Sequence, residues 1–287
     1  MSNAWDWKQV DDKEYWMDPS DESYFYAEKW RREGRSRILD LGCGLGRHSL
    51  LFSGYGFDVT AIDSSSEAVE HLRRISDEKG LGIRCDVGDM HDLPYADGSF
   101  DCVFAYLSVS HTDSEGIGRI MSGIRRVLVP GGALFFTLCS KDTWSFTDAG
   151  FPHRDANTIV KTEGAEAGIP HFYVDQKDIE GLLPGFRLVR VRHVDDCFFQ
   201  GKWRNSKHYF IEAVKLQDRK GNDGTPGRCR RGDAKFRSAF RSRPCCTGSG
   251  PLPISARAAR SSSRSSSAPP RGRARRRSSP WPYPSGS

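Results

Sequence analysis

Arg37-Ile-Leu-Asp-Leu-Gly-Cys-Gly-Leu-Gly-Arg-His48 is the most informative segment of this chain. Its mostly apolar front, Ile38 to Leu41, is typical of a strand buried on both faces of a parallel sheet. A glycine-rich turn follows, with Gly42, Gly44 and Gly46. Glycine allows positive φ angles and lets the backbone approach a ligand closely. Because a helical segment begins at Arg47, the turn would also open a helix N-terminus with free N–H groups.

A second predicted strand, Asp58 to Ile62, ends in Asp63, 21 positions after Gly42. A carboxylate at the tip of that strand can accept both hydroxyls of a ribose, as in nucleotide-binding βαβ units. A dinucleotide fingerprint reads G-x-G-x-x-G, whereas the spacing here is G-x-G-x-G, followed by Arg47 and His48. By itself, such a turn would also suit an ordinary strand-to-helix connection. The flanking strands and Asp63 favour a nucleoside-binding unit.

Asp40-Leu-Gly-Cys-Gly-Leu-Gly46 resembles the first motif of the class I S-adenosylmethionine-dependent methyltransferases. Together with Gly54-Tyr-Gly-Phe-Asp-Val-Thr-Ala-Ile-Asp63, it is similar to the small-molecule branch of that family. The resemblance is good over residues 35–140 and loose elsewhere. It implies a Rossmann-like, doubly wound α/β fold, with a mostly parallel seven-stranded sheet whose final strand is antiparallel. It also implies S-adenosylmethionine as the cofactor.

The resemblance further implies which residues hold this cofactor. The turn amides would approach its methionine moiety, Asp63 would hold the ribose, and Asp40 could accept from the amino group. Gly88-Asp89-Met90 resembles the family's adenine-binding loop, although alone it could be a polar loop whose Asp caps a turn. Arg47 and His48 could touch the methionine carboxylate or could be solvated helix residues. The expected cofactor-binding residues are Asp40, Gly42, Cys43, Gly44, Gly46, Arg47, His48, Asp63, Ser64, Asp89, Met90 and Tyr106.

Methyl transfer is an in-line displacement at a sulfonium carbon, to which a protein contributes mainly alignment and a water-poor site. A general base is needed only if the acceptor must lose a proton. His111 follows the fourth predicted strand, Phe100 to Tyr106, at the sheet edge where ligands bind. A neutral imidazole can accept a proton near pH 7, although a lone histidine can equally be structural. His171 and Tyr173 are the next candidates for this catalytic role.

Composition divides the chain into regions. Residues 1–34 are aromatic and charged. They predict a helical lid over the cofactor, with Tyr15 and Tyr24 facing the pocket, or else a peripheral helix that packs its aromatic residues on the sheet. Residues 35–217 would form the methyltransferase domain. Within it, the strand and helix patterns give way to turn residues over 140–174, which we expect to be a substrate-side insertion forming a long loop.

The charge of the chain is segregated. Residues 1–217 hold 26 Lys+Arg and 34 Asp+Glu, whereas residues 218–287 hold 17 Lys+Arg and 3 Asp+Glu. The second region consists mainly of Gly, Pro, Ser and Arg, which predicts a disordered basic tail because it can bury little apolar surface. The tail is either a dispensable extension or an arm with weak nucleic-acid or polyanion contacts. The acidic body does not predict a nucleic-acid-binding face.

Cysteine spacing and hydropathy argue against a zinc-binding, a secreted or a membrane protein. The eight cysteines form no C-x-x-C pair and no Cys/His zinc spacing, so no metal site is expected. Their positions in or beside apolar strands are typical of a reduced protein, which predicts a cytoplasmic location. No apolar run approaches the roughly 20 residues that span a bilayer, and no signal-peptide pattern is present at the N-terminus. We expect no membrane association.

The sequence therefore predicts an S-adenosylmethionine-dependent methyltransferase with a small-molecule acceptor. Ala105-Tyr-Leu-Ser108 lacks the Asn/Asp-Pro-Pro-aromatic tetrapeptide of enzymes that methylate DNA bases or protein glutamine. Two alternatives stay open: an RNA or protein methyltransferase that docks through the tail, and a domain that binds S-adenosylmethionine or S-adenosylhomocysteine without turnover. The glycine spacing disfavours a nicotinamide dehydrogenase. The acceptor, the methylated atom and the oligomeric state are not specified by any motif.

Overall fold

The computed structural model describes residues 5, 7, 10, 15–199 and 202–217. These residues belong to one compact unit, Met1–Gly224. The predicted basic tail, residues 218–287, lies outside them. Among the described residues, no helix is both long enough and apolar enough to cross a membrane.

The core of the unit is a sheet flanked by helices. Its strands are β1 (Arg37–Leu41), β2 (Asp58–Asp63), β3 (Arg84–Val87), β4 (Phe100–Ala105), β5 (Leu128–Ser140), β6 (His153–Asp155), β7 (Thr158–Val160), β8 (Pro170–Val174), β9 (Phe186–Asp195) and β12 (Lys207–Lys215). A separate hairpin joins β10 (Phe198–Phe199) to β11 (Lys202–Trp203). The helices are α1 (Asp21–Arg32), α2 (Arg47–Gly54), α3 (Ser66–Lys79), α4 (Ser114–Val127) and α5 (Trp144–Thr147).

Seven strands lie side by side in the order β3-β2-β1-β4-β5-β12-β9. The pairs from β3 to β5 are parallel, whereas β12 runs antiparallel to both β5 and β9. This confirms the predicted mostly parallel sheet with a final antiparallel strand. The strand order reverses between β1 and β4, and open α/β sheets bind ligands beyond the carboxyl ends of the strands at such a point. The topology therefore places a site at the ends of β1 and β4.

Two of the flanking helices follow directly from capping and hydrophobic periodicity. At the start of α4, the side chain of Asp113 accepts a hydrogen bond from the N–H of Gly116 at 2.8 Å. At the start of α3, Ser65 accepts from the N–H of Ala68 at 3.3 Å. Side-chain oxygens at this position satisfy N–H groups that have no partner within the helix. The buried stripe of α4 consists of Ile117, Ile120, Met121, Ile124 and Val127.

The insertion over residues 140–174 is not the loop that the sequence predicts, because it contains β6, β7 and β8. These strands pair antiparallel, and β8 also pairs in parallel with β5 at Cys139 and Ser140. β4 ends its pairing with β5 at Ala105, opposite Phe136, so β8 can use the edge of β5 that lies beyond. Strands of three to five residues between turns give little periodicity to recognise. The pairing fixes the insertion beside the end of β4.

α1 packs on the sheet, as the second interpretation of the N-terminal region predicted. Tyr26, Ala27 and Trp30 are buried in one of the two main hydrophobic clusters. The hydroxyl of Tyr26 donates to the carboxylate of Glu212 on β12 at 3.3 Å, and the ammonium of Lys29 lies 2.9 Å from the other oxygen of that carboxylate. The helix is therefore anchored to the sheet by apolar packing and by a shared carboxylate.

Candidate active site

The glycine-rich turn between β1 and α2 packs so closely that two of its positions require glycine. Gly42 and Gly46 have φ angles of 73° and 91°, in the left-handed region. A Cβ atom would lie 2.3 Å from Cβ of Ser108 at the first position and 2.3 Å from Cδ1 of Leu72 at the second. No side chain tolerates such contacts without displacement of its neighbours. The backbone of the turn is thereby held against the end of β4 and against α3.

The carboxylate of Asp63, at the tip of β2, is tied to this turn. One oxygen accepts from the N–H of Gly44 and the other from the N–H of Ser65, both at 2.9 Å. Burial raises the pKa of Asp63 above its ordinary value, while the two N–H donors act in the opposite direction. Each carboxylate oxygen keeps a further lone pair. Asp63 is therefore able to accept additional donors such as ribose hydroxyls.

A cavity opens at this edge of the sheet, with about 920 Å³ of empty space that continues into solvent. Its walls are the turn, the tip of β2, the loop after β3, the end of β4 and part of the N-terminal segment. The wall combines apolar side chains with a few polar groups, as ligand pockets usually do. Among the predicted cofactor residues, those in the wall are Gly42, Cys43, Gly44, Arg47, His48, Asp63, Ser64, Asp89, Met90 and Tyr106.

Asp40 and Gly46 do not line the cavity, which corrects the predicted set. Asp40 is 1% exposed, and its carboxylate accepts a hydrogen bond from the hydroxyl of Ser49 on α2 at 2.5 Å. Burial raises the pKa of Asp40 to about 6. This carboxylate joins β1 to α2 instead of facing a ligand amino group. Gly46 has a packing role, because the side chain of Leu72 occupies the space that a Cβ atom at this position would need.

Arg47 and His48 are buried, so the expectation that they could be solvated helix residues is wrong. The guanidinium of Arg47 donates to the carbonyl oxygens of Asp18 and Tyr15 at 3.1 and 3.3 Å. These bonds leave its charge without a paired carboxylate among the described residues. Arg47 is therefore the cationic group that the cavity offers to an anionic ligand.

His48 is an uncharged neighbour of Arg47. Burial, and then the charge of Arg47, lower the pKa of His48 well below its ordinary value. The neutral ring accepts from the N–H of Ser20 at 3.3 Å.

Asp89 combines the two roles that the sequence left open. Its carboxylate accepts from the N–H of His91 at 2.9 Å, which closes a local turn. The same residue lines the cavity beside Met90 and is exposed. Hydrogen bonds from His91 lower the pKa of Asp89 despite the opposing effect of burial. An ionised carboxylate beside a thioether at this wall could accept from an exocyclic amino group and contact a flat ring.

The N-terminal segment covers the cavity with tryptophans rather than with the two tyrosines that the sequence suggested. Trp5, Trp7 and Trp16 line the wall, with ring centroids 5.2–6.1 Å apart. Tyr15 and Tyr24 are 38% and 46% exposed and are not part of the wall. The buried indole nitrogens of Trp5 and Trp7 have no hydrogen-bond acceptor among the described residues. They are donors that a bound ligand could satisfy.

Beside Trp5, whose ring centroid is 5.7 Å away, His111 brings a cluster of titratable groups to the cavity wall. Its Nε2 lies 3.3 Å from Oε1 of Glu166, and the same oxygen lies 3.0 Å from Nε2 of His171. Lys161 forms an ion pair with the other oxygen of Glu166. The rings of the two histidines are 4.8 Å apart and nearly perpendicular. His111 is the member that lines the cavity, while His171 is 1% exposed.

The pKa values of Glu166 and His171 in this cluster are both shifted from their ordinary values. Burial alone would raise the pKa of Glu166, but hydrogen bonds with the two histidines and the charge of Lys161 hold the pKa well below its ordinary value. Burial, followed by the charge of Lys161, lowers the pKa of His171 to about 4. At neutral pH the cluster therefore contains an ionised carboxylate beside an uncharged, buried imidazole. Perturbed groups of this kind concentrate at functional sites.

Tyr173 does not belong to the cavity, which corrects the third catalytic candidate. It is 1% exposed, and its hydroxyl is hydrogen-bonded to the hydroxyl of Ser145 at 2.9 Å. Burial raises the pKa of Tyr173 far above its ordinary value. The phenol of Tyr173 is a buried structural group within the insertion, on β8.

Sequence reasoning missed Glu166 and the tryptophans of the wall. Glu166 lies in a turn-rich segment without any motif, and its approach to His111 depends on the pairing of β8 with β5. Trp5, Trp7 and Trp16 were part of the aromatic region that predicted a lid. No spacing separates them from the tyrosines beside them. His111, after β4, and His171, in the insertion, were the two members of the cluster that the sequence singled out.

Comparison with known proteins gives the class of this domain. Residues 38–132 match the family model described as a methyltransferase domain. Malonyl-[acyl-carrier protein] O-methyltransferase of Pectobacterium atrosepticum is 29% identical over 139 residues, which are 48% of this chain and 51% of that protein. An S-adenosylmethionine-dependent methyltransferase of Methanosarcina mazei has a similar structure, with a TM-score of 0.57 and 22% identity over 70% of this chain and all of that one.

A Burkholderia thailandensis N-methyltransferase that was solved with S-adenosylhomocysteine has a TM-score of 0.51 and 18% identity, over 72% of this chain and 83% of that one. Residues 38–132 thus match a methyltransferase-domain family model, and the fold is shared with solved S-adenosylmethionine-dependent methyltransferases. The chain spans about half the length, or less, of the curated relatives that it matches.

Proposed function

We propose that this protein binds S-adenosylmethionine in the cavity and transfers its methyl group to a small-molecule acceptor. The observation that carries the proposal is the position of Asp63. Its carboxylate stands at the strand tip, bonded to the N–H of Gly44, and faces a cavity that also offers Asp89 and Met90. Acceptors for the ribose hydroxyls and for the adenine amino group thus lie in one cavity.

The residues of the wall support a proposed place for each part of this cofactor. The ribose hydroxyls would donate to Asp63, and the adenine would contact Met90 with its amino group directed to Asp89. The methionine carboxylate would lie near Arg47, the buried cation without a paired carboxylate among the described residues. The indole N–H groups of Trp5 and Trp7 could donate to the same carboxylate or to the acceptor.

Transfer needs little covalent participation from the protein. A lone pair of the acceptor forms the new bond to the methyl carbon while the carbon–sulfur bond breaks, and its electron pair stays on sulfur as S-adenosylhomocysteine. Positive charge disperses during this step, so alignment and exclusion of water supply most of the rate. Where the acceptor carries a proton, His111 is the base predicted to remove it, and Glu166 would orient its ring.

A small acceptor is supported by the apolar part of the wall beyond the proposed cofactor groups, which includes Trp16, Leu107 and Ile169. Relatives over part of the chain include enzymes named as methyltransferases of small molecules, such as the glycine/sarcosine/dimethylglycine N-methyltransferase of Actinopolyspora halophila, 37% identical over 105 residues. The proposed acceptor of this protein is therefore a small molecule, without a further choice among small molecules.

The test is calorimetric titration of the full chain with S-adenosylmethionine, S-adenosylhomocysteine and NAD. We expect micromolar binding of the two sulfur nucleosides and at least a tenfold loss in Asp63→Ala, because both ribose hydroxyls lose their acceptor, at about 1–3 kcal/mol for a buried polar group. Asp58→Ala, at the exposed start of the same strand, is the matched control and should bind normally.

Each outcome has a clear meaning. Binding of NAD alone would contradict the cofactor assignment. Equal affinity in wild type and Asp63→Ala would remove the observation on which the proposal rests. Tight binding of the sulfur nucleosides without product, across a screen of hydroxyl, amine, thiol and carboxylate acceptors, would favour the non-catalytic alternative.

A further inference from the structure

Three donor atoms converge beside the cavity, from parts of the chain that are far apart in sequence. Nε2 of His111, Nε2 of His171 and a carboxylate oxygen of Glu166 all lie within 4.8 Å of one another. His111 follows β4, Glu166 lies in the insertion, and His171 is on β8. The carboxylate oxygen is the centre of the group, 3.3 Å from one nitrogen and 3.0 Å from the other.

The orientation of His171 leaves a lone pair directed at this carboxylate. Its Nδ1 lies 2.9 Å from the carbonyl oxygen of Ile169, which can only accept, so Nδ1 carries the ring proton. In the neutral imidazole, Nε2 then has no proton and faces Oε1 of Glu166 at 3.0 Å. Two acceptors at that distance repel unless a cation or an additional proton lies between them. The backbone contact of Nδ1 is also the usual support of a metal-binding histidine.

Lys161 does not supply the cation between them. Its ammonium pairs with the other oxygen, Oε2, and thereby fixes the carboxylate with Oε1 directed at the histidines. The side chain of His171 is 2% exposed, and that of Glu166 is 20% exposed. The group is therefore held in place by packing, by a backbone hydrogen bond and by an ion pair. Such support is what a preorganised site requires.

The donor set and the separations suit a transition metal. Two imidazoles and one carboxylate are ligands of catalytic Zn²⁺ and of other divalent first-row ions. Bonds of about 2.0–2.2 Å to each ligand need only small side-chain movements from the observed separations. Three protein ligands leave a position open, as catalytic sites do, and His111 is part of the cavity wall.

We propose that His111, Glu166 and His171 bind one divalent transition-metal ion, with an open coordination position toward the cavity. Binding of the ion does not depend on the methyltransferase activity. Its use does rest on the proposed function: the open position would hold an acceptor through a hydroxyl, thiol or carboxylate group. Coordination lowers the pKa of such a group, so that it binds as the anion and its proton leaves to solvent. With the ion bound, this step replaces proton removal by His111, whose Nε2 is then a metal ligand.

The test is titration of the full chain with Co²⁺, followed by its visible absorption, and with Zn²⁺ in competition. We expect one ion per chain, with absorption typical of nitrogen and oxygen ligands. Glu166→Gln and His171→Gln should each weaken binding roughly 100-fold or more, since loss of even a supporting group costs 10–100-fold. His153→Gln is the matched control, because His153 is exposed, packs against Phe146 and is not part of the metal-ligand group.

Thiolate ligation through cysteines elsewhere in the chain would be seen as sulfur-to-cobalt charge-transfer bands, and would contradict the assignment if those bands accounted for all of the binding. Unchanged affinity in Glu166→Gln, or no binding by the folded wild type, would overturn the proposal. If His171→Gln fails to fold, His111→Gln, at the cavity wall, replaces it. Asp63→Ala should keep the metal, and Glu166→Gln should keep S-adenosylmethionine, so failure of this proposal is distinguishable from failure of the cofactor assignment.

Discussion

Asp40 illustrates at the residue scale how burial governs the titratable groups of this domain. Its carboxylate is 1% exposed, and its hydrogen bond from the hydroxyl of Ser49 only partly offsets the loss of water. The pKa of Asp40 in the folded protein is therefore raised to about 6 from an ordinary 3.8. The group joins β1 to α2, but it does so at a cost that depends on pH.

Replacement by asparagine should reveal that cost. Between pH 4 and pH 6, the unfolded chain has already lost the proton of Asp40 while the folded protein still holds it, so the free energy of unfolding falls as the pH rises. In Asp40→Asn this contribution is absent. We expect the stability of the variant, relative to wild type, to increase over this interval by up to about 3 kcal/mol and to level off above pH 6.

The measurement is urea unfolding of both proteins at intervals from pH 4 to pH 7. Asp58→Asn, an exposed carboxylate on β2, controls for the loss of one charge. Parallel stability curves for wild type and Asp40→Asn would contradict the raised pKa and the burial that causes it.

At the scale of elements, the turn between β1 and α2 is held in shape by its contact with α3. The N–H groups of Gly42 and Cys43 both bond to the carbonyl of Ile62, at 2.9 and 3.1 Å, which joins the turn to β2. On its other side, Gly46 lies against Leu72, a fully buried residue of α3. Two strands and two helices therefore meet at a turn in which the residues at the closest contacts are glycines.

Gly46→Ala should be costly for this reason. The left-handed φ of 91° is unfavourable for alanine, and the new Cβ would lie 2.3 Å from Leu72. We expect a loss of about 2–4 kcal/mol in the free energy of unfolding, from backbone strain and overpacking together. Gly54→Ala is the control, because nothing lies within 4 Å of its added Cβ and its φ is not in the left-handed region. Thermal unfolding that lowers the midpoint equally in both variants would contradict this account.

The site groups that lie along the βαβ pattern could be predicted from the sequence, whereas the orientation of Asp40 and the position of Glu166 could not. The turn, Asp63 and the Asp89 loop follow one another along the βαβ pattern, so spacing alone places them at one edge of the sheet. The direction of Asp40 could not be inferred, because a strand buried on both faces lacks the alternation that separates inside from outside. Glu166 reaches His111 only through the pairing of β8 with β5, which no local pattern indicates.

At the scale of the whole molecule, the cavity lies where the strand order reverses and is closed by two segments outside the matched family region. The N-terminal tryptophans form part of the wall, with Trp5 beside His111, and the insertion brings Glu166 and His171 into contact with His111. The residues proposed to hold the cofactor thus lie mainly within the matched residues 38–132, while the N-terminal tryptophans and Ile169 of the wall come from the rest of the chain. This division agrees with relatives that share only part of their length with this protein.

The most direct test of the central claim is amide hydrogen exchange of the full chain with and without S-adenosylmethionine. A bound cofactor should slow exchange in peptides that cover residues 41–48, 62–65 and 88–91, because these line the proposed site. Peptides from β9 and β12, away from the cavity wall, serve as the internal reference and should not change. Slower exchange confined to other segments, or none at a concentration that saturates binding, would contradict the account.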